Sequence, residues 1–143
     1  MRLPTELEWG RAAGGEADER CPWDASTGSA PGESTGKLPK EKRKEVVLAR
    51  ANVAESKIGG TTPVAMYPDG VSEPFRIWDM AGNVWEWTST LYEGYPGAYL
   101  RGSSWESNAE DAGVRARIDP YRDDDLLNYG LRVVVASWAF PRS

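Results

Sequence analysis

The 143-residue sequence contains no histidine and a single cysteine, Cys21. Without histidine, the chain lacks the commonest general base, the commonest transition-metal ligand and the usual pH switch near neutrality. One thiol cannot form an internal disulfide bond or a CxxC site. These two absences argue against most metal-dependent and nucleophilic chemistry.

Long hydrophobic runs are also lacking. No apolar run approaches the ~20 residues that a membrane span needs, and the opening "MRLPTELEW" has no apolar signal-peptide core. We therefore expect no membrane span, and a protein that is cytoplasmic or associated with a phage or cell surface without a recognisable signal. The net charge is −5, and acids outnumber arginines between Trp105 and Tyr129. This charge argues against nucleic acid as the ligand class.

Tryptophan, by contrast, is abundant, with seven residues in one short chain. Each can bury about 150–250 Å², and each has an N–H group that needs a hydrogen-bond partner. Length and composition together predict a single domain over residues 1–143 with an aromatic core.

Local patterns predict an α+β chain that is rich in loops. "LPTELEWGRAAGG" begins with a capping box and predicts a helix from Thr5 to Ala13. Residues 24–45 are polar and rich in Gly, Ser and Pro, which predicts a flexible insertion. Short strands are expected in "TTPVAMYPDG", before its Pro-Asp-Gly turn, and in "AYLRGSSW", and a buried C-terminal strand in "YGLRVVVASWAF".

The segment "IWDMAGNVWEW", residues 77–87, places two acids among three tryptophans. Asp79 and Glu86 could supply carboxylate oxygens to Ca²⁺, which takes 6–8 oxygen ligands, and Gly82 would let the backbone turn its carbonyls inward. Alternatively, the two acids accept hydrogen bonds from tryptophan N–H groups or cap backbone turns. The spacing leaves both interpretations open.

Several motifs in order resemble the formylglycine-generating enzyme, or sulfatase-modifying-factor, family: "RLPTELEW", "RANV", "TTPVAMYP", "IWDMAGNVWEWTS", "LRGSSW" and "YGLRVV". The resemblance implies a variant of the C-type lectin fold, shortened here at the N-terminus. Family enzymes bind copper through two cysteines, and a related oxygenase branch binds iron through histidine. Because both ligand sets are missing, we expect no catalytic residues, no copper and no iron.

The resemblance also implies structural calcium. In the similar enzymes, one site is formed by residues matching Asp79, Gly82, Val84 and Glu86, the middle two through backbone carbonyls. A second site uses the region matching Asn52 and Val53. Calcium at either site would stabilise loops and take no part in catalysis.

The segment between "RGSSW" and "YGLRVV" mixes Asp, Asn, Tyr and Arg without a period, as binding surfaces do. It is similar to the variable proteins of diversity-generating retroelements, which are found in phages and bacteria. We therefore expect a non-catalytic binding module for a protein or other macromolecular partner, with a hypervariable surface at residues 105–129. The expected ligand contacts are Trp105, Glu106, Ser107, Asp111, Arg117, Tyr121, Asp123, Asp124, Asp125 and Tyr129.

Two alternatives remain open at this stage. One is a regulatory or structural domain of the same fold, and the other is an enzyme of the family with unrecognised chemistry. Arg115 and Arg132 are expected to brace the scaffold through buried hydrogen bonds rather than to meet a ligand. Trp85 and Trp87 are expected in the core.

Overall fold

The secondary structure is sparse and connected by long loops. The structure, a computed structural model, describes residues 1–14, 21–24, 34–94, 96–119 and 126–135. Its helices are α1 (Glu6–Ala12) and α2 (Lys40–Leu48), and its strands are β1 (Trp85–Leu91), β2 (Ala98–Arg101), β3 (Arg117–Ile118) and β4 (Tyr129–Leu131). Short 3₁₀ turns occur at Thr35–Lys37, Ala54–Ser56 and Leu126–Asn128. The loop-rich α+β prediction is confirmed.

Helix α1 begins where the sequence predicts it. The Thr5 hydroxyl accepts a hydrogen bond from the Glu8 backbone N–H at 3.2 Å, and the Glu8 carboxylate accepts one from the Thr5 N–H at 2.8 Å. This reciprocal pair satisfies two donors that a helix start leaves unpaired. The helix buries Trp9 to 1% exposure, so local sequence sets the helix and the core holds it in place.

One four-stranded sheet has the order β3-β2-β1-β4. Strands β1 and β2 are antiparallel, as are β2 and β3, whereas β1 and β4 are parallel. The strand predicted in "AYLRGSSW" is confirmed as β2, and Gly102 turns the chain after it with φ of 97°. Strands β3 and β4 therefore lie at opposite edges of the sheet.

The predicted C-terminal strand is shorter and more exposed than expected. β4 ends at Leu131, and beyond it Val134 forms a backbone bridge to Arg2. The side chains of Leu131, Val133 and Val135 are exposed. Over residues 129–135, the expectation of a buried strand is wrong, because β-branched composition alone does not report which face is covered.

Two loop predictions also change. Residues 40–45 of the predicted flexible insertion belong to helix α2, and the Thr35 N–H donates to both oxygens of the buried Asp24 carboxylate at 3.1 Å. Flexibility of residues 25–33 stays a prediction, since they lie outside the described residues. The strand expected before Tyr67 is not formed at residues 61–66, all of which the structure describes, but the Pro-Asp-Gly turn is present. It is closed by a 3.0 Å hydrogen bond from the Gly70 N–H to the Tyr67 carbonyl.

Much of the core among the described residues is formed by two small clusters. One packs beneath α2 and contains Cys21, Trp23, Val47, Ala51, Val53, Ala81, Ala109 and Ala112. The other packs beneath α1 and contains Trp9, Ala13, Met80 and Val114. Trp85 is buried as expected, whereas Trp87 is only half-buried. In the part of the chain that the structure describes, no helix is long and apolar enough to cross a membrane.

Candidate functional site

Glu86 lies at the start of β1 and is 5% exposed. Its Oε2 accepts hydrogen bonds from the Trp9 indole Nε1 at 2.7 Å and from Arg132 Nε at 2.9 Å. Its Oε1 accepts a third from Arg132 Nη2 at 2.8 Å. Glu86 thus satisfies a tryptophan N–H group, which confirms one of the two interpretations. Arg132 also braces the scaffold as expected.

The first predicted calcium site does not fit this arrangement. Both Glu86 oxygens already face the Arg132 guanidinium, and a cation placed beside them would be repelled by that charge. Asp79 caps backbone instead, since its Oδ2 accepts a hydrogen bond from the Ala65 N–H at 2.8 Å. Calcium bound by Asp79, Gly82, Val84 and Glu86 would require these contacts to break.

The second predicted calcium site fits the residues better. Asn52 is 1% exposed, and its Oδ1 has no hydrogen-bond partner among the described residues. A buried amide oxygen without a partner is a ligand that Ca²⁺ accepts. One side-chain oxygen is far below the 6–8 that calcium takes, so backbone carbonyls such as that of Val53 and water would have to supply the rest. Calcium at Asn52 and Val53 stays a prediction.

The turn between the two predicted acids is joined to two other loops, one at Asn52 and one that runs from Gly102 to Trp105. The Gly82 N–H donates to the Gly102 carbonyl at 2.8 Å, and the Asn83 N–H donates to the Asn52 carbonyl at 2.8 Å. The Asn83 carbonyl in turn accepts from the Trp105 N–H at 3.0 Å. Irregular backbone needs such partners once it is buried, so this turn fixes the position of Trp105.

A second set of backbone contacts positions the residues around Trp105. The Ala54 N–H donates to the Ser107 carbonyl at 2.9 Å, and the Ser107 N–H donates to the Ser104 carbonyl at 3.0 Å. The Ala109 N–H donates to a Glu55 carboxylate oxygen at 2.9 Å. The turn at residues 104–107 is thereby attached to the 3₁₀ turn Ala54–Ser56.

A cavity of about 370 Å³ opens between these two turns. This Trp105 pocket is lined by Ala54, Lys57, Gly59, Trp105 and Glu106. Glu106 Oε2 accepts a 2.6 Å hydrogen bond from the Asn128 amide, which joins the pocket to the turn before β4. The Asn128 Oδ1 and the Trp105 Nε1 are buried without a partner among the described residues. The pocket thus combines an aromatic ring with one basic and one acidic side chain.

Other predicted contacts lie elsewhere. Ser107 is half-buried, and its Oγ accepts from the Ser104 N–H at 3.1 Å; Asp111 is exposed. Tyr129 packs edge-to-face on Trp87, with ring centroids 5.9 Å apart. Four predicted contacts fall outside the described residues: Tyr121, Asp123, Asp124 and Asp125.

The sheet order separates two of the predicted contacts. Arg117 belongs to β3 and Tyr129 to β4, the two edge strands of the sheet. Three strand spacings place these edges about 14 Å apart. The described part of the 105–129 segment is therefore distributed over more than one face, with Trp105 and Glu106 in one pocket and Arg117 in another.

The sequence did not indicate Lys57 or Asn128 as members of the site. Lys57 has φ of 57°, which is unusual for a residue other than glycine, and it follows the turn Ala54–Ser56. Asn128 comes close to Glu106 only through tertiary contact. No sequence pattern indicates either residue, because their places in the site depend on how loops distant in the chain pack together.

Cys21 is unsuited to nucleophilic chemistry. Its Sγ lies 3.1 Å from the Ala112 carbonyl, and the residue is 2% exposed. Burial in the core, followed by the charge of Asp24, raises the pKa of the thiol to about 12. A thiol of that pKa is almost entirely protonated at neutral pH and is therefore a poor nucleophile.

Comparison with known proteins identifies the family to which this chain is similar. A family model described as "Sulfatase-modifying factor enzyme 1-like domain" matches residues 1–137. A mouse relative named "Inactive C-alpha-formylglycine-generating enzyme 2" is 36% identical over 124 residues, which cover 82% of this chain and 36% of the mouse protein. The chain therefore spans about a third of that relative's length.

Two solved structures share the fold. Treponema denticola variable protein 1 has 27% identity and a TM-score of 0.50, with 82% of this chain and 41% of that chain covered. PvdO from Pseudomonas aeruginosa has 23% identity and a TM-score of 0.54, with 82% and 46% covered. Both likenesses agree with the fold expected from the sequence motifs.

Proposed function

This chain belongs to the family of the sulfatase-modifying factor enzyme 1-like domain, and on that premise we propose that it is a non-catalytic ligand-binding module. The observation that supports this most strongly is the Trp105 pocket. Its volume of about 370 Å³ lies within the range of ligand sites. Two residues expected as ligand contacts from the sequence, Trp105 and Glu106, line it together.

The pocket's chemistry favours a peptide segment of a protein partner. Trp105 offers ring surface, and tryptophan is enriched among the residues that dominate binding. Lys57 and Glu106 provide opposite charges in one cavity. A peptide segment presents an apolar side chain together with donors and acceptors of both kinds, which matches these groups.

Two observations support the non-catalytic part of the proposal. The mouse relative has "Inactive" in its name. In this chain the one cysteine, Cys21, is buried and has a pKa raised to about 12. The two cysteines with which the family's enzymes bind copper have no counterpart, because the sequence contains only one cysteine.

Panning a random peptide library on the immobilised chain tests ligand binding. We expect enriched peptides that shift the NMR signal of the Trp105 indole and bind at least about tenfold more weakly, or about 1.4 kcal/mol, to Lys57→Glu. Lys42→Glu is the matched control, since Lys42 is an exposed lysine of α2. Peptides that bind both variants equally well would contradict the assigned pocket. Oxidation of a cysteine-containing peptide by the purified chain, read by mass spectrometry, would contradict the non-catalytic part.

We also propose that residues 105–129 vary among sibling copies of the chain, as in a variable protein of a diversity-generating retroelement. The likeness to Treponema denticola variable protein 1, at 27% identity, supports this. The segment begins at the Trp105 pocket and ends in β4, so changes at its exposed positions would alter the binding surface. Its buried residues Ala109, Ala112 and Val114 belong to the core clusters and are expected to stay unchanged.

Sequencing sibling genes from related strains tests this variation. We expect substitutions concentrated between residues 105 and 129, with the flanking residues 98–104 and 130–134 unchanged. Both flanks form or adjoin sheet strands, where a substitution disturbs packing. Substitutions spread evenly along the chain would contradict hypervariability and leave a module with a single fixed ligand.

A further inference from the structure

A second cavity lies at the β3 edge of the sheet, away from the Trp105 pocket. This Tyr99 pocket has a volume of about 370 Å³ and is lined by Tyr92, Tyr99, Arg117, Ile118 and Asp119. It shares no lining residue with the Trp105 pocket. Its walls come from β2 and β3 and from the hairpin that follows β1.

The aromatic wall of this cavity is ordered by contacts between its rings. Tyr92 and Tyr99 pack edge-to-face with centroids 5.1 Å apart, a geometry that aromatic pairs prefer. Tyr99 lies in β2 directly before Leu100, which is fully buried. The strand therefore fixes the position of the Tyr99 ring, and the two tyrosines form a defined surface.

Arg117 is also held in place, although its side chain is 57% exposed. Its guanidinium lies 5.1 Å from the centre of the Tyr99 ring, and its Nη1 lies 4.0 Å from Glu6 Oε2. Stacking on a ring orients the planar guanidinium and leaves its N–H groups at the edge as donors. Glu6 itself is bound by Arg101 at 3.1 Å, so the arginine is positioned without being neutralised by a tight pair.

The charges of the residues that line the Tyr99 pocket indicate which class of ligand it favours. Arg117 brings one positive charge and Asp119 one negative charge, so the lining as a whole is neutral at pH 7. An anionic ligand would be repelled by the Asp119 carboxylate, and a cationic ligand would be repelled by the Arg117 guanidinium. A neutral ligand with many hydroxyl groups can donate to Asp119, accept from Arg117 and place its C–H face on a tyrosine ring.

We propose that the Tyr99 pocket is a separate binding site for a neutral, hydroxyl-rich ligand of the size of a hexose. The tyrosine rings provide the apolar surface. Arg117 and Asp119 provide directional hydrogen bonds that orient the hydroxyl groups. This site is independent of the Trp105 pocket, so the chain can engage a sugar and a peptide on different faces.

Titration with methyl glycosides of glucose, galactose and mannose, followed by NMR, tests this site. At least one glycoside is expected to shift the Arg117 Nε–H and Tyr99 ring signals with a dissociation constant of about 1 mM. Glucuronic acid and glucosamine, which carry a charge, are expected to bind more weakly. Arg117→Ala and the isosteric Asp119→Asn are each expected to weaken binding about tenfold, whereas Arg11→Ala, on the exposed side of α1, leaves it unchanged.

Three results would overturn the proposal. They are no shift at Arg117 and Tyr99 with any neutral glycoside, an equal response in Arg117→Ala, or tighter binding of the charged sugars. Shifts confined to Trp105 would also count against the Tyr99 pocket, because they would place the glycoside in the other cavity. A negative result in the peptide experiment would not change the outcome of this titration. The proposal for the Trp105 pocket and the proposal for the Tyr99 pocket can therefore be refuted independently.

Discussion

Glu86→Ala is expected to lower the free energy of unfolding by about 3–5 kcal/mol. The side chain is buried and accepts three hydrogen bonds from Trp9 and Arg132. Alanine would leave the indole N–H inside the core without its acceptor and the guanidinium without its counter-charge. Urea denaturation followed by tryptophan fluorescence measures the loss, and melting shows it as a decrease on the order of 10 °C.

Glu110→Ala is the matched control for this substitution. Glu110 pairs with Lys40 at 2.8 Å, but both side chains are at least half exposed to solvent, and solvent screening leaves such exposed pairs with little effect on stability. Asp124→Ala, in the acidic run, should likewise cost less than Glu86→Ala. Equal losses at Glu86 and Glu110 would show that burial of the pair does not matter.

The same variant separates the roles of arginine and calcium at Glu86. Because Arg132 occupies both carboxylate oxygens, we expect the loss at Glu86→Ala to be the same with and without EDTA. If EDTA destabilised the wild-type chain and not Glu86→Ala, calcium rather than Arg132 would be the partner of this carboxylate. Asn52→Ala is the corresponding variant for the second predicted site.

Gly82→Ala is expected to cost about 4 kcal/mol or more, or to prevent folding. Gly82 has φ of +74°, and a Cβ atom added there would lie 2.3 Å from the Asn52 carbonyl oxygen. That oxygen also accepts the Asn83 N–H at 2.8 Å, so it cannot move without breaking a buried hydrogen bond. Circular dichroism and the urea midpoint give the measurement.

Gly59→Ala is a control that separates two costs of substituting Gly82, the steric clash of the added Cβ atom and the strain of a positive φ. Gly59 has a nearly identical φ of +73°, but no atom lies within 4 Å of the Cβ that alanine would add. This control should cost only about 1–2 kcal/mol, the strain of an alanine in the left-handed region. If the two substitutions had equal costs, close approach to Asn52 would not explain the glycine.

Local features could be predicted from the sequence because their causes lie within a few residues. The capping box of Thr5 and Glu8, the turn ending at Gly70 and strand β2 all appear where the sequence places them. The family motifs gave the fold class, and the family match over residues 1–137 confirms the family. Local propensity gave the wrong prediction after Leu131, where β4 ends and the β-branched residues Val133 and Val135 are exposed instead of buried.

The sequence could not assign partners across long chain separations. It indicated that Glu86 needs a partner but left calcium and tryptophan N–H groups as alternatives. Tertiary packing brings Trp9 from 77 residues away and Arg132 from 46 residues away. The same limit applied to the binding surface, where strand order places Arg117 and Tyr129 at opposite edges and brings Lys57 beside Trp105.

By itself the sequence determined the start of α1, the family fold and the lack of a cysteine pair or any histidine, because each depends on composition or on short spacings. Only the tertiary structure decided that Glu86 binds Arg132 and Trp9 and that two separate pockets form on the scaffold. The physical reason is that carboxylates, rings and cations accept several kinds of partner. Which partner they meet depends on how loops distant in the chain pack together.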